Sequence, residues 1–134
     1  MIGKLNQHFS FYEAALKVRA YRQEVLASNL ANADTPNYRA RDIDFRSALQ
    51  EAMQPHPSGY AMTTTHTRHL QGKALGPRGP DLLYRNEHQP SIDGNTVETD
   101  VEMAQFADNA VRYQAQLTFL NHKISSLRSV LQDR

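Results

Sequence analysis

An unbroken apolar repeat near the C-terminus constrains the fold of this chain more than any other feature. Its members follow one another at steps of three or four residues: Met103, Phe106, Ala110, Tyr113, Leu117, Leu120, Ile124, Leu127 and Leu131. Such steps place side chains on one face of an α-helix, and their alternation over several heptads is typical of a coiled-coil seam. Thr99 and Glu102 fit a capping box at the start of this helix. The pattern predicts a long helix over residues 99–132 that needs an apolar partner.

A second long helix is predicted at the N-terminus, from about Lys4 to Ala33. Arg19 and Gln23 interrupt its apolar stripe. Pro36 stops the helix, because proline lacks a backbone N–H and disfavours helical dihedrals at Thr35. The two helices have nearly the same length, so each can cover the stripe of the other. The residues predicted to form the seam between them are Phe9, Tyr12, Leu16, Leu26, Leu30, Phe106, Tyr113, Leu117, Leu120, Ile124 and Leu127.

Both helices also carry apolar residues on the side opposite this seam. In the first helix, Phe11, Val18 and Val25 recur every seven residues and fall roughly opposite Phe9 and Leu16 at about 100° per residue. The last helix has a weaker opposite set: Val101, Ala104, Val111, Ala115, Phe119 and Val130. One helix pair cannot cover all of these residues, and large exposed apolar patches mark interaction surfaces. The predicted intersubunit face is Phe11, Val18, Val25, Val111 and Phe119.

Residues 34–98 are predicted to form a turn, a short helix and a loop-rich segment between the long helices. Asp42–Met53 has the pattern of an amphipathic helix, with Asp44 as its N-cap. The apolar face of this helix contains Phe45, Leu49 and Met53. Ala61–Thr65 and Leu82–Arg85 are predicted to pair as a small β ribbon. The whole chain, residues 1–134, is therefore predicted to be a single, mainly α domain.

The composition argues against several classes of function. The net charge is +1, with both signs spread along the chain, whereas a nucleic-acid-binding protein should have a basic face. The chain has no cysteine, so disulfides and thiolate metal sites are excluded. No apolar run approaches the roughly 20 residues that cross a membrane. The N-terminus has no apolar segment like that of a cleaved signal peptide.

No catalytic, cofactor or metal site is predicted. His66 and His69 are three residues apart, but no third ligand lies near them in the sequence. Asp42 and Asp44 have no identifiable acid or base partner, and helix capping explains Asp44. No glycine-rich stretch fits a phosphate-binding template. We therefore predict that the chain is not an enzyme.

Several stretches of the chain resemble a known protein family. Ser28–Pro36 is similar to the N-terminal motif of the bacterial flagellar axial proteins, the rod and hook proteins, although Asn37 stands where that motif usually has glycine. The motif residues are Asn29, Leu30, Asn32, Asp34, Thr35 and Pro36. Tyr38–Phe45, and Asp81–Arg85 together with Gln89–Val97, resemble the proximal-rod members of the family.

This resemblance implies a structural subunit of the proximal rod, in the periplasmic part of the flagellar basal body. Terminal helices of many subunits would form a tube that transmits torque and encloses the export channel. The implied partners are further copies of the chain, the rod protein FlgC, and the adapter FliE with the membrane ring. The resemblance also implies export by the flagellar type III apparatus, without a cleaved signal peptide.

Phe45 and Leu49 match a short Phe-x-x-x-hydrophobic element that the resemblance associates with recognition by the export gate. The alternative for these two residues is simple packing on the long helices. For the whole chain, the alternative function is a small helical adapter or export chaperone that acts as a closed oligomer.

Overall fold

Two long helices, one near each end of the chain, dominate the fold. The structure is a computed structural model that describes residues 2–54, 79–86 and 91–132. The elements within these ranges are α1 (Ile2–Ala31), β1 (Arg41–Asp42), α2 (Phe45–Met53), β2 (Leu83–Tyr84) and α3 (Thr99–Gln132). The predicted fold class is therefore confirmed: two long terminal helices, a short middle helix and a two-stranded ribbon.

The helices α1 and α3 pack antiparallel. Asn29 of α1 donates a hydrogen bond to Glu102 of α3, whereas the Asn109 side chain, farther along α3, donates to the carbonyl oxygen of Arg19. Residue numbers thus fall along α1 as they rise along α3. At 1.5 Å per residue the helices are about 45 and 51 Å long. Every α3 residue from 121 to 132 is exposed, so the far end of α3 has little cover from its own chain.

Asn95 holds the turn that follows α1. Its Nδ2 group donates to the carbonyl oxygens of Asn32, Ala33 and Thr35 at 3.1, 2.6 and 3.0 Å. Asn95 is buried, so these bonds satisfy backbone carbonyls of the turn that no regular element pairs. Asn37 then adopts a left-handed backbone conformation with φ 59°, which explains why the related motif usually has glycine here.

The side of α1 that carries Val18 is covered by the same chain. Val18 is 3% exposed and forms a cluster with the buried residues Ile43 and Ala48. The partly buried residues Tyr21, Phe45 and Leu82 pack against this cluster. Val25 is also buried, at 8% exposure. The prediction that Val18 and Val25 face a neighbouring subunit is therefore wrong, because the segment from β1 to α2 folds back over this side of α1.

The ribbon joins different segments from those predicted. β2 pairs antiparallel with β1, with Arg41 opposite Tyr84 and Asp42 opposite Leu83. The segment predicted to pair with Leu82–Arg85, Ala61–Thr65, lies outside the described residues. Pairing with β1 brings Arg85, the residue after β2, within hydrogen-bonding distance of Asp42.

Candidate functional site

Asn29, near the end of α1, is completely buried and uses the whole of its side-chain amide. Its Nδ2 donates to the carbonyl oxygen of Arg41 at 2.7 Å and to Oε2 of Glu102 at 3.1 Å. Its Oδ1 accepts from the Arg41 N–H at 3.1 Å and from the Tyr38 hydroxyl at 3.3 Å. An asparagine amide offers two donor hydrogens and two acceptor lone pairs, so all are satisfied. This one side chain connects α1, β1 and α3.

Two arginines and two carboxylates lie beside Asn29. Arg22 donates to both oxygens of Asp42 at 2.8 Å, in the two-pronged geometry that suits a carboxylate. Arg85 donates to Asp42 at 2.8 Å and to Glu102 at 2.5 Å. Gln105 accepts from Arg22 at 2.7 Å and from Arg85 at 3.3 Å. We call Arg22, Asn29, Asp42, Arg85, Glu102 and Gln105 the polar cluster.

The opposite charges of the polar cluster stabilise one another in their ionised forms. Burial acts to raise the pKa of Asp42, but hydrogen bonds from Arg22, Ile43 and Arg85 hold this pKa below its ordinary value. The hydrogen bond to Asp42 likewise raises the pKa of Arg22. Buried charge pairs contribute little net stability, but removing one partner is costly because the other remains buried and unpaired. The cluster therefore fixes how α1, α3 and the ribbon fit together.

The predicted capping box at the start of α3 is wrong, although the helix does begin at Thr99. The Glu102 side chain is 1% exposed, and its two oxygens accept from Arg85 and Asn29. The carboxylate is thus used inside the polar cluster, where the desolvated arginine is a stronger partner than the exposed N-terminal backbone.

The other residues of the Ser28–Pro36 motif form the turn. Asn32 donates to the Ser28 carbonyl oxygen at 2.8 Å and accepts from the Thr35 hydroxyl at 3.2 Å. Leu30 is half-buried, and Asp34, Thr35 and Pro36 are exposed. The motif therefore combines one buried positioning residue, Asn29, with a surface turn.

The predicted seam residues lie in the structure with a gradient of burial. Leu26, close to the polar cluster, is completely buried. Eight others are half-buried: Phe9, Tyr12, Leu16, Leu30, Phe106, Tyr113, Leu117 and Leu120. Ile124 and Leu127 are 49% and 37% exposed. The helix pair is therefore closed near the turn and open toward the other end.

A groove follows the open side of the helix pair. It consists of two adjoining cavities of about 370 and 550 Å³, and Ala20 and Tyr113 line both of them. The first is also lined by Phe9, Glu13, Leu16, Lys17, Leu120 and Ile124. The second is also lined by Arg19, Gln23, Glu24, Ala27, Phe106, Asn109, Ala110 and Gln114. We call this feature the α1–α3 groove.

The rest of the predicted intersubunit face is exposed. Phe11, Val111 and Phe119 are 44%, 70% and 68% exposed. Along α3, Met103, Val130 and Leu131 are exposed as well, and the buried residues of this helix are Glu102 and Asn109. Apolar side chains thus cover more than one side of α3, as expected of a surface that other proteins bury.

The two residues of the candidate export element pack within the chain. Phe45, at the start of α2, contacts the Val18 cluster, and the Arg19 guanidinium lies 4.3 Å from the centre of its ring. Leu49 is half-buried. The predicted N-cap of α2 is confirmed, because the Asp44 side chain accepts a hydrogen bond from the Arg46 N–H. Packing is thus one role of Phe45.

No sequence pattern identified Arg22, Arg85 and Gln105 as members of the polar cluster. The sequence did indicate polar contacts between α1 and α3, because the polar side chains of Arg19 and Gln23 interrupt the apolar stripe of α1. Among the residues that the structure describes, no group of His, Cys, Asp or Glu could hold a metal ion, and His66 and His69 lie outside them. In the same part of the chain, no helix is both long and apolar enough to cross a membrane.

Comparison with known proteins identifies the family. The family model described as flagella basal body rod protein matches residues 12–39, which include Asn29 and the turn. The chain is 50% identical to the flagellar basal body rod protein FlgB of Escherichia coli K12, over 98% of both chains. It is 47% identical to FlgB of Salmonella typhimurium LT2, over 98% of both, and 46% identical to FlgB of Aeromonas hydrophila, over 98% of this chain and 97% of the relative. Because the identity extends over nearly the whole of each relative, the chain belongs to the FlgB family of flagellar basal body rod proteins.

Proposed function

We propose that the chain is a structural subunit of the proximal rod of the flagellar basal body. The observation that carries this proposal is the apolar surface that a single subunit leaves exposed on α3, from Met103 to Leu131. A helix with apolar residues on several sides needs neighbours on those sides. The family membership supports the same role, since the relatives are named as basal body rod proteins.

In this proposal the terminal helices of many subunits pack into a tube that encloses the export channel and transmits torque. The polar cluster gives each subunit a fixed shape under load, because Arg22 and Arg85 connect α1, α3 and the ribbon through charged hydrogen bonds. A sliding movement of α1 along α3 would separate these partly buried charges, which is costly.

The proposed partners are further copies of the chain, the rod protein FlgC, and the adapter FliE with the membrane ring. The proposed location is the periplasmic rod, reached through the flagellar type III apparatus without a cleaved signal peptide. The exposed Phe11, Val111 and Phe119 are the proposed intersubunit residues.

A deletion strain tests this function directly. We expect cells without the chain to assemble the membrane ring but no rod in electron micrographs of isolated basal bodies, and to lose swimming. Expression of the chain from a plasmid should restore both. Normal rods in the deletion strain would overturn the proposal. Recovery of the chain only in the cytoplasm, with rods restored, would favour the adapter or chaperone alternative.

We also propose that Phe45 and Leu49 form an element that the export gate recognises. The double variant Phe45→Ala with Leu49→Ala should lower secretion several-fold per molecule present in the cytoplasm. The matched control is Ile43→Ala, which damages the same buried cluster by about 2–5 kcal/mol but leaves the element intact. Secretion and cytoplasmic abundance are measured together by immunoblotting. Equal secretion per molecule from the two variants would show that Phe45 and Leu49 serve packing alone.

A further inference from the structure

The α1–α3 groove has the shape and chemistry of a site for another helix. Its second cavity is lined by small side chains from both helices, Ala20, Ala27 and Ala110, and by the rings of Phe106 and Tyr113. Small residues allow a third helix to approach within the 8–10 Å at which helices pack. From Phe9 to Ala27 the groove follows about 27 Å of α1, the length of roughly 18 helical residues.

Polar atoms at the groove have unused hydrogen-bonding capacity. Asn109 lines the groove and is completely buried, and its Oδ1 has no hydrogen-bond partner within the described ranges. Nε of Arg19, another lining residue, is also buried without such a partner there. Buried polar groups in folded proteins are nearly always hydrogen-bonded. Both atoms lie beneath the groove surface, so an incoming helix meets mainly the apolar lining together with exposed Glu24 and Gln114. A helix face that is apolar with a few polar side chains would suit this lining.

The far half of α3 carries such a stripe. Phe119, Lys123, Ser126 and Val130 follow at steps of four, three and four, which places them on one helix face. All four are exposed, with Phe119 at 68% and Val130 at 67%. At about 100° per residue, this face lies roughly a quarter-turn from the seam residues Leu120 and Leu127. We call these four residues the distal stripe.

The groove lining has two acidic and two basic residues, Glu13, Glu24, Lys17 and Arg19, and one of them, Glu24, can complement the basic far half of α3. Residues 113–132 contain Lys123 and Arg128 but no Asp or Glu. At the groove, Glu13 is paired with Lys17 at 2.7 Å, whereas exposed Glu24 forms no ion pair with another described residue. Opposite charges at the edge of an interface set its register and disfavour wrong partners.

We propose that the α1–α3 groove of one subunit receives the distal stripe of a second copy of this chain, with Lys123 of the incoming helix beside Glu24. This inference rests on the proposed rod function and names which face meets which. The groove and the stripe are different surfaces, so the contact is heterologous. Heterologous contacts continue from subunit to subunit, as a rod requires, whereas a self-complementary contact would end at a dimer.

Engineered cysteines test this contact in a chain that has none of its own. Ala20→Cys lies at the centre of the groove, and Ser126→Cys lies near the centre of the distal stripe. Within one subunit they cannot join, because Arg19 lies beside Asn109, and residue 126 is about 26 Å farther along α3. Basal bodies from cells that express only the double variant are oxidised and run on a non-reducing gel. We expect a ladder of dimers and higher multimers.

The control pairs Ser126→Cys with Gln50→Cys, an exposed position on α2, and should give no ladder. If the unmodified chain fails to restore rods, the proposed function itself is wrong. If rods form normally and the Ala20–Ser126 pair gives no more product than the control, only the docking proposal is overturned. A disulfide to a different protein in place of the ladder would exclude a second copy as the occupant.

Charge reversal provides an independent test of the register. Glu24→Lys and Lys123→Glu are both exposed changes, so the subunit should fold normally. Each should lower the cross-linked ladder about tenfold by placing like charges together. The combination of both reversals should restore it to near the unreversed level. If the double variant gives no more cross-linked ladder than the single variant with the smaller amount, the pairing of Glu24 with Lys123 is contradicted.

Discussion

Val18→Asp should unfold the isolated subunit, whereas Val111→Asp should leave it folded and prevent assembly. Val18 is 3% exposed among Ile43 and Ala48, so a carboxylate there would be buried without a partner. Such a charge costs about 3–5 kcal/mol, a large part of the 5–15 kcal/mol that stabilises a typical domain. Val111 is 70% exposed, and surface changes usually stay within about 0.5 kcal/mol.

The comparison requires two measurements on each variant. Urea unfolding followed by circular dichroism gives the free energy of unfolding of the purified subunit, and rod formation in a strain lacking the native chain gives assembly. We expect Val18→Asp to fail in both and Val111→Asp to fail in assembly alone. An unchanged unfolding free energy for Val18→Asp would mean that α2 does not cover this side of α1 in solution.

Asn29→Ala should be the most damaging substitution within the Ser28–Pro36 motif. It removes four hydrogen bonds and leaves the backbone of Arg41 and one oxygen of Glu102 with a partner missing. Each buried group left unsatisfied costs about 1–3 kcal/mol, so we expect a loss of about 3–5 kcal/mol in unfolding free energy.

Asn32→Ala is the matched control for Asn29→Ala. Asn32 is half-buried, and the partners of its side chain among the described residues are near in sequence, Ser28 at the end of α1 and Thr35 in the turn. The control should lose about 1 kcal/mol in the same urea titration. If the two variants lose the same stability, Asn29 is a turn residue rather than the link between α1, β1 and α3.

The sequence predicted those features that depend on local pattern. Steps of three and four gave both long helices, with α3 beginning at Thr99, and Asp44 was identified as the N-cap of α2. The predicted end of the first helix, near Ala33 and before Pro36, was two residues from the observed end at Ala31. These features require only neighbouring residues, so helical periodicity and capping chemistry are sufficient to find them.

The predictions that were wrong concern features that depend on residues far apart in the sequence. The stripe containing Val18 and Val25 showed that something covers this side of α1, but not that α2 of the same chain does so. Glu102 has the spacing of a capping box, and only the position of Arg85 in space directs its carboxylate elsewhere. Two-residue strands carry too little pattern to identify their partners.

The polar interruption of the α1 stripe at Gln23 has a similar explanation. Its Oε1 accepts from the Asn109 side chain at 2.6 Å, and Asn109 also donates to the backbone carbonyl oxygen of Arg19 at 3.0 Å, across more than 80 residues of sequence. Polar residues in a helix seam can set register, as they do in coiled coils. The sequence shows that α1 is polar at Gln23, but its partner Asn109 can be identified only from the fold.

Hydrogen exchange of α3 tests whether neighbours in a rod bury the side chains that one subunit leaves exposed. Backbone amides of residues 121–132 are compared between the purified subunit and isolated basal bodies by mass spectrometry. Because all of these residues are exposed in one subunit, they should exchange rapidly when it is alone. We expect strong protection of the same amides in basal bodies. Equally rapid exchange in both states would mean that no neighbouring subunit covers this part of α3.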